Sequence, residues 1–527
     1  MPPPPLKKQK RQQQQYRIDF TKKLFSDEII LNIFSYLTAT DLINCEKVNK
    51  TWYRLANDTF ALWRPLYEEK FDKPLNHFKA KWASSSQVQI ANHKWKDLYR
   101  INHNWLSGHC TSTQLNININ LNISNAYNNN TQRFIQYTHD VLCFINQDST
   151  KIEIWQLQNT QPTHIYTIMD EQLFQPQQHT ITCLKLKKSI NNNNKKKKNS
   201  FTLIVGTSHA QYMIWELIIN KNECKPLLLY QKNYNYHHSC QEKDAVIAMD
   251  ICDNIITFCT ESMKLEYYDV SYQPPRLIYH LQSNVHWSPI ILQLNRKKST
   301  TSSSSHQWCA LLFFGMHIGL NASSIGVQEM ILSKNTLISS RHCSILCQDQ
   351  LFFTNRTTTA TSSRVDPPMT SMIYSEPFLM TSHSNNTIKQ YRFYHHDTTS
   401  PSLPSIKKSN ITINAADDFR LSYVQTLFGH TSQVNYLAMD ASQGRLVSGD
   451  RYGLKMWDLL SLDQCKVRGN DYMVNLKYND DDDDQQQQHI TTTHHMKWLQ
   501  MDHDKIMGLL MDNHNPLPYF KIWSFDL

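Results

Sequence analysis

Glycine is scarce, with 11 in 527 residues. Few turns can therefore rely on a residue free to take positive φ, so Asn, Asp and Ser must fill most turn positions of any β-rich part. Long apolar runs are also missing. The most apolar window, Cys309–Leu320, holds about twelve residues, against the roughly 20 that a membrane-spanning helix needs. No membrane partner is expected. The N-terminal stretch MPPPPLKKQKRQQQQ lacks the apolar core of a secretory leader. The 12 cysteines are scattered without a C-x-x-C pair, and Cys343 with Cys347 comes nearest. Reduced thiols in the cytoplasm or nucleus follow from that usage.

Motifs of catalysis are absent too. The chain has no G-x-x-x-x-G-K-[ST] loop, no G-x-G-x-x-G and no H-E-x-x-H. Ser, His and Asp are plentiful, but no G-x-S-x-G frames a nucleophile. The doublets His237-His238, His395-His396 and His494-His495 lack the spaced partners of a closed metal site. No cofactor, metal or enzymatic activity is expected. The formal charge of +9 is patchy, with basic runs at Lys7–Arg11 and Lys195–Lys198 and an acidic run at Asp480–Asp484. Such blocks read as solvated tails and loops. The Lys7–Arg11 run also fits a nuclear import signal. No nucleic acid is expected, because the basic residues neither gather on one helix nor interleave with aromatics.

What is present falls into two patterns. Residues 1–19 read as a disordered Pro/Lys/Gln-rich tail. From Leu24 apolar residues recur at helical spacing. Ser26 can cap a helix whose first turn holds Asp27 and Glu28, followed by Ile29, Ile30, Ile33, Phe34 and Leu37 on one broad face. Thr40 can cap a second helix with Leu42, Ile43 and Val48, and a third carries Trp52, Leu55 and Ala56. Three short helices bury too little surface to stand alone comfortably. The module over residues 20–67 therefore completes its core on another protein, or else packs on its own chain.

The order of these residues resembles the F-box motif. The hallmarks are Leu24, Glu28-Ile29, Ile33-Phe34, Tyr36-Leu37, Asp41-Leu42, Val48, Trp52, Leu55 and Leu62-Trp63, with Phe25 where the family usually has Pro. The resemblance implies binding to a Skp-type adaptor and through it to a cullin–RING ligase. It marks Leu24, Phe25, Ile29, Ile33, Phe34, Leu37, Leu42, Val48, Trp52 and Leu55 as candidate adaptor contacts, some of which must instead form the module's own core. Residues 68–107 read as a helical connector, with a helix over Ala91–Ile101 carrying Trp95, Leu98 and Tyr99 on one stripe. The run Leu98–Ile101 with Trp105 resembles the connector of F-box proteins that carry WD repeats.

The second pattern is a repeat. A short strand recurs with an aromatic or its equivalent at Trp155, Trp215, Tyr268, Gln328, Tyr391, Trp457 and Trp523, at gaps of 60, 53, 60, 63, 66 and 66 residues. Seven copies predict a seven-bladed β-propeller over residues 108–527, with six or eight blades as the rival count. The unit Leu427–Leu459 resembles a WD repeat, with Gly429-His430 in front and Trp457-Asp458 at the close. Tyr452 stands before Gly453 where the family often has Asp, so the network joining that Asp to the repeat's His and Trp is expected to be incomplete. Polar inserts at Asn191–Ser200, Arg296–His306, Thr357–Asp366, His395–Asn410 and Asp480–His489 account for the extra length. Gln114–Ile123 alternates apolar and polar and is the candidate outer strand of the last blade.

The fold class expected is thus a small α-helical F-box-like module followed by an all-β seven-bladed WD-repeat-like propeller. The function implied by the resemblance is a substrate-recognition adaptor of an SCF-type ubiquitin ligase, with an unknown protein target on the propeller. The alternative is a propeller scaffold for protein assembly with no ligase role. Arg133, Arg276, Arg341, Arg392, Arg420, Arg445, Arg451 and Arg468 are available to read an anionic target, but sequence places none of them on a common face.

Overall fold

The computed structural model describes residues 26–72, 95–115, 130–146, 151–158, 161–168, 180–189, 200–220, 223–231, 243–297, 307–318, 322–346, 368–394, 419–459, 473–477, 494–512 and 518–526. The chain divides into two compact units, Met1–His103 and Asn104–Leu527. Among the described residues no helix is long and apolar enough to cross a membrane.

The first unit is helical. Its helices are α1 (Asp27–Phe34), α2 (Ala39–Cys45), α3 (Lys50–Ala56), α4 (Arg64–Tyr67) and most of α5 (Trp95–Ser107), whose last residues, from Asn104, belong to the second unit, with a π-helical turn at Thr59–Trp63. Ser26 sits at the N-cap of α1, as its spacing predicts. The second helix starts earlier than expected. Thr38, not Thr40, is its cap, because Thr38 and Asp41 form a capping box in which each side chain meets the other residue's backbone N–H. Thr40 is thereby inside the helix. Asn49 Oδ1 accepts from Trp52 N at 2.9 Å and opens α3. Helix α5 runs on to Ser107, past Ile101, while residues 91–94 lie outside the described residues.

Ile30, Phe34, Leu42, Leu55, Ala56, Leu62 and Trp63 form the core of this unit, with Trp95 and Tyr99 packed against it. Phe34 meets Trp52 edge to face at 5.2 Å. The Trp63 indole donates to Ala56 O at 2.8 Å, so the largest side chain of the core leaves no orphaned donor. Lys96 donates to Asn57 Oδ1 at 2.8 Å and pairs with Glu46, tying α5 to α2 and α3.

The second unit is seven antiparallel sheets of four strands each. The seven recurring segments are the third strands of the seven blades: Ile152–Gln158, Tyr212–Asn220, Lys264–Asp269, Ala322–Leu332, Ile388–Tyr394, Gly453–Asp458 and Tyr519–Ser524. The innermost strand of each blade touches that of the next, and the strand of blade 1 touches that of blade 7, so the ring closes. Closure matters because an open sheet edge invites pairing with other chains.

Thr111–Leu115 forms the outer strand of blade 7, pairing antiparallel with Tyr519–Ser524 from Thr111↔Ser524 to Leu115↔Phe520. The strand expected at Gln114–Ile123 therefore begins at Thr111, because the register is set by its partner strand; residues 116–123 lie outside the described residues. Leu115 is buried with Phe144, Trp498 and Phe520 in a core shared by blades 1 and 7. Polar ties also cross between blades. Thr182 Oγ1 donates to Val246 O at 2.9 Å, and Leu294 N donates to buried Asp250 Oδ2 at 2.7 Å. In blade 4 Gln328 stands at the aromatic position and donates to Ser340 Oγ at 3.1 Å on the sheet surface. Most of each expected polar insert falls outside the described residues.

Candidate functional site

On α1, Ile29 and Ile33 are four residues apart and share one helix face. They are 48% and 53% exposed, while Ile30 and Phe34, about 100° further round the helix, are buried. Ile29 and Ile33 are each already about half buried, so covering the rest would gain about 1 kcal/mol per side chain. The turn after α1 exposes Tyr36 at 84%, and Ile43 and Val48 follow. Acidic groups line the start of α1. The Ser26 hydroxyl and the helix backbone hold the Glu28 carboxyl below its ordinary pKa.

The structure sorts the candidate adaptor contacts by burial. Ile29, Ile33 and Val48 lie at the surface, and Leu37 and Trp52 are half-buried. Phe34, Leu42 and Leu55 are at most 3% exposed and belong to the module's own core, the part expected of some of the candidates. Leu24 and Phe25 lie outside the described residues. Sequence reasoning left out the exposed Tyr36, Ile43, Tyr53 and Phe60. Their signal was an apolar residue outside the core-facing periodicity.

In blade 6 the expected gap in the WD network is filled. His430 Nδ1 lies 2.7 Å from Asp450 Oδ2, His430 Nε2 lies 2.6 Å from Ser448 Oγ, and the Trp457 indole donates to Ser448 Oγ at 2.8 Å. The required Asp is Asp450, not a residue directly before Gly453. It reaches inward because its Oδ1 accepts from Tyr452 N at 2.7 Å and Gly453 N at 3.0 Å, which folds the turn back on it.

A second dense cluster lies where blades 6 and 7 meet the end of α5. Trp105 stacks on Phe525 at 4.0 Å, donates to His503 O at 3.1 Å and carries the Arg445 guanidinium 4.5 Å over its ring. Arg445 also donates to His503 O at 2.7 Å. Burial alone would raise Asp502, but hydrogen bonds from His503 hold it well below the carboxylate range, and the same contact raises His503. Here the charged groups serve the seam.

The arginines scatter. Arg276 donates to Asn335, Arg341 pairs with Glu329, and Arg392 and Arg420 lie over Phe378 and Tyr394. Arg451 is exposed, and Arg468 is outside the described residues. Arg133 alone of the set lines the cavity at the centre of the ring.

Residues 122–509, more than half of the chain, match the family model of the F-box protein pof12 β-propeller. The chain belongs to that family. Residues 27–69 match the F-box-like model, which covers α1 to α4. Among curated proteins, F-box/LRR-repeat protein 5 of Xenopus laevis is 39% identical over 70 residues, covering 13% of this chain and 9% of that protein. An F-box protein of Saccharomyces cerevisiae is 31% identical over 116 residues, 18% of each chain. The probable E3 ubiquitin ligase complex SCF subunit sconB of Arthroderma otae is 26% identical over 169 residues, 27% of this chain and 23% of that one. The chain thus spans less than a quarter of the length of these relatives. Among solved structures, the Cps50 (Swd1) β-propeller domain of Myceliophteria thermophila aligns with a TM-score of 0.39 at 10% identity, covering 74% of this chain and 95% of that one. This is an F-box protein whose second unit is a seven-bladed propeller.

Proposed function

We propose that this chain is the substrate-recognition subunit of an SCF-type cullin–RING ubiquitin ligase. Its helical unit docks a Skp-type adaptor through Ile29, Ile33 and their exposed neighbours, and its propeller holds a target protein. The subunit itself is non-catalytic: it supplies proximity and specificity, while partners carry the ubiquitin chemistry. The reading places its work in the cytoplasm or nucleus. One observation carries it, namely that two isoleucines of α1 face solvent while the core beside them is already complete. A self-contained helical module has no use for that face; an adaptor-binding one does. The F-box relative from Saccharomyces cerevisiae and sconB, the latter named as a probable SCF subunit, support the assignment.

The test is co-purification of the full chain with a Skp-type adaptor. Ile33→Asp and Ile29→Asp should each abolish capture by putting a carboxylate into an apolar interface. Capture that persists in both variants, or no capture by the wild-type chain, would refute the reading.

A further inference from the structure

Where the inner strands of blades 6 and 7 begin, a cavity of about 230 Å³ lies between them. Ser432 and Asn435 line it from the segment entering blade 6, Asp450 and Arg451 from the turn after that blade's second strand, and Met496 from the inner strand of blade 7.

Asn435 holds a position that two other blades use as a tie. Thr182 of blade 2 and Thr370 of blade 5 are each the second residue of an inner strand, where the register slips by one residue. Each donates to a carbonyl of the next blade, Thr182 to Val246 O at 2.9 Å and Thr370 to Val434 O at 2.6 Å. Asn435 directly follows Val434 and precedes the Tyr436↔Gly449 pair, as Thr182 precedes Cys183↔Gly206 and Thr370 precedes Ser371↔Ser382. Yet its side-chain oxygen is buried without a hydrogen-bond partner among the described residues. The polar neighbours are already engaged. Ser432 Oγ accepts from Arg451 N at 3.1 Å, and Asp450 is taken by His430 and by the N–H groups of Tyr452 and Gly453. A buried acceptor left unpaired weakens a fold unless something from outside completes it.

We propose that this cavity is a carboxamide-binding subsite, in which a Gln or Asn side chain of a target segment seats between blades 6 and 7 and donates to Asn435 Oδ1. A carboxamide is uncharged, so it suits a wall that carries one carboxylate, Asp450, and one guanidinium, Arg451. Its own oxygen accepts from the Asn435 amide in return. The volume is below the roughly 300–1,000 Å³ of sites that enclose a whole small molecule, so the occupant is a single side chain of a larger body. Met496 gives the stem of that side chain a pliable apolar surface, and Tyr452, 61% exposed beside Arg451, offers a ring to the flanking residues. This rests on the reading of the propeller as the target-holding part and names what one of its pockets selects.

The experiment is an array of nine-residue peptides with Gln, Asn, Glu or Lys at the centre and varied flanks, probed with the full chain carrying Asn435, Asn435→Thr or Asn435→Ala. The wild-type chain should retain the Gln or Asn peptides at least about tenfold over the Glu and Lys peptides, and both variants should lose that preference. Free propanamide, but not propanoate, should displace the peptides from the wild-type chain, a readout that needs no variant to fold. Asn435→Thr should keep or raise the midpoint of thermal unfolding, because threonine there can make the tie that Thr182 and Thr370 make; a lower midpoint would contradict the equivalence of the three positions. Equal retention of Glu or Lys peptides, no retention at all, displacement by propanoate as well as by propanamide, or a preference unmoved in both variants would overturn the subsite. Adaptor capture is read in parallel. Failure of the array with capture intact reports on this cavity, and failed capture by the wild-type chain reports on the ligase reading.

Discussion

His430 and Asp450 sit 2.7 Å apart with both side chains almost wholly buried, and Ser448 extends the contact to the Trp457 indole. The four residues join the entry loop, the second strand, the turn and the third strand of blade 6. Removing the imidazole leaves a buried carboxylate and hydroxyl short of partners. His430→Ala should cost about 2–4 kcal/mol, measured by urea unfolding of the full chain.

The same contact gives a pH signature. Burial alone would raise Asp450, but hydrogen bonds from His430 and the backbone of Tyr452 hold it below its ordinary value of 3.8. A depressed folded pKa means that the unfolded chain takes the proton first. The stabilisation is then complete above the unfolded value and is lost as pH falls through the folded one. Asp450→Asn should lower the midpoint of thermal unfolding most near neutral pH, with the gap to wild type narrowing below about pH 4. A constant gap across that range would contradict the assignment.

The two faces of α1 should respond oppositely to truncation. Phe34→Ala opens a cavity in the core and should destabilise the helical unit by about 3–5 kcal/mol. Ile29→Ala should change stability by about 0.5 kcal/mol or less, yet weaken adaptor binding. Hydrogen exchange over residues 26–72, read by mass spectrometry, separates the two effects.

The ring seam offers a further test. Leu115→Ala removes a buried side chain from the closing strand and should cost about 2–5 kcal/mol. Trp105→Ala removes both the stack on Phe525 and the hydrogen bond to His503 O, at about 3–5 kcal/mol. Calorimetry of the full chain would register each as a lower transition of the propeller.

Much of this was legible from residues alone. The third strand of each blade carries an aromatic or its equivalent at a near-constant interval, and all seven appear as read, including Gln328 where the aromatic is missing. Spacing also placed α1 and α3. It failed where two adjacent side chains compete for one role: Thr38 and Thr40 are equally plausible caps until Asp41 is seen to answer Thr38. It failed again at Asp450, since a linear rule looks beside Gly453 and the turn brings in a residue three positions earlier. Above all, apolar periodicity does not say which side chains face the module's own core. Ile30 and Phe34 differ from Ile29 and Ile33 only in angle around the helix, and that angle is fixed by α3 and the residues after it. Arg133 was one arginine among eight until the ring set it at the centre.

Asn104 Nδ2 donates to Phe525 O at 2.9 Å across 421 residues of chain, beside the strand pair that joins Thr111–Leu115 to Tyr519–Ser524. A ribosome making this protein must therefore release the chain through Ser524 before the strand Thr111–Leu115 finds its partner. Until then blade 7 has its two inner strands without the outer pair, and Lys505–Asp512 is a raw edge exposed to chaperones and to sticky companions. A stop codon only a few sense codons upstream of Tyr519 would make that edge permanent, so even a small truncation there should send the nascent product to quality control.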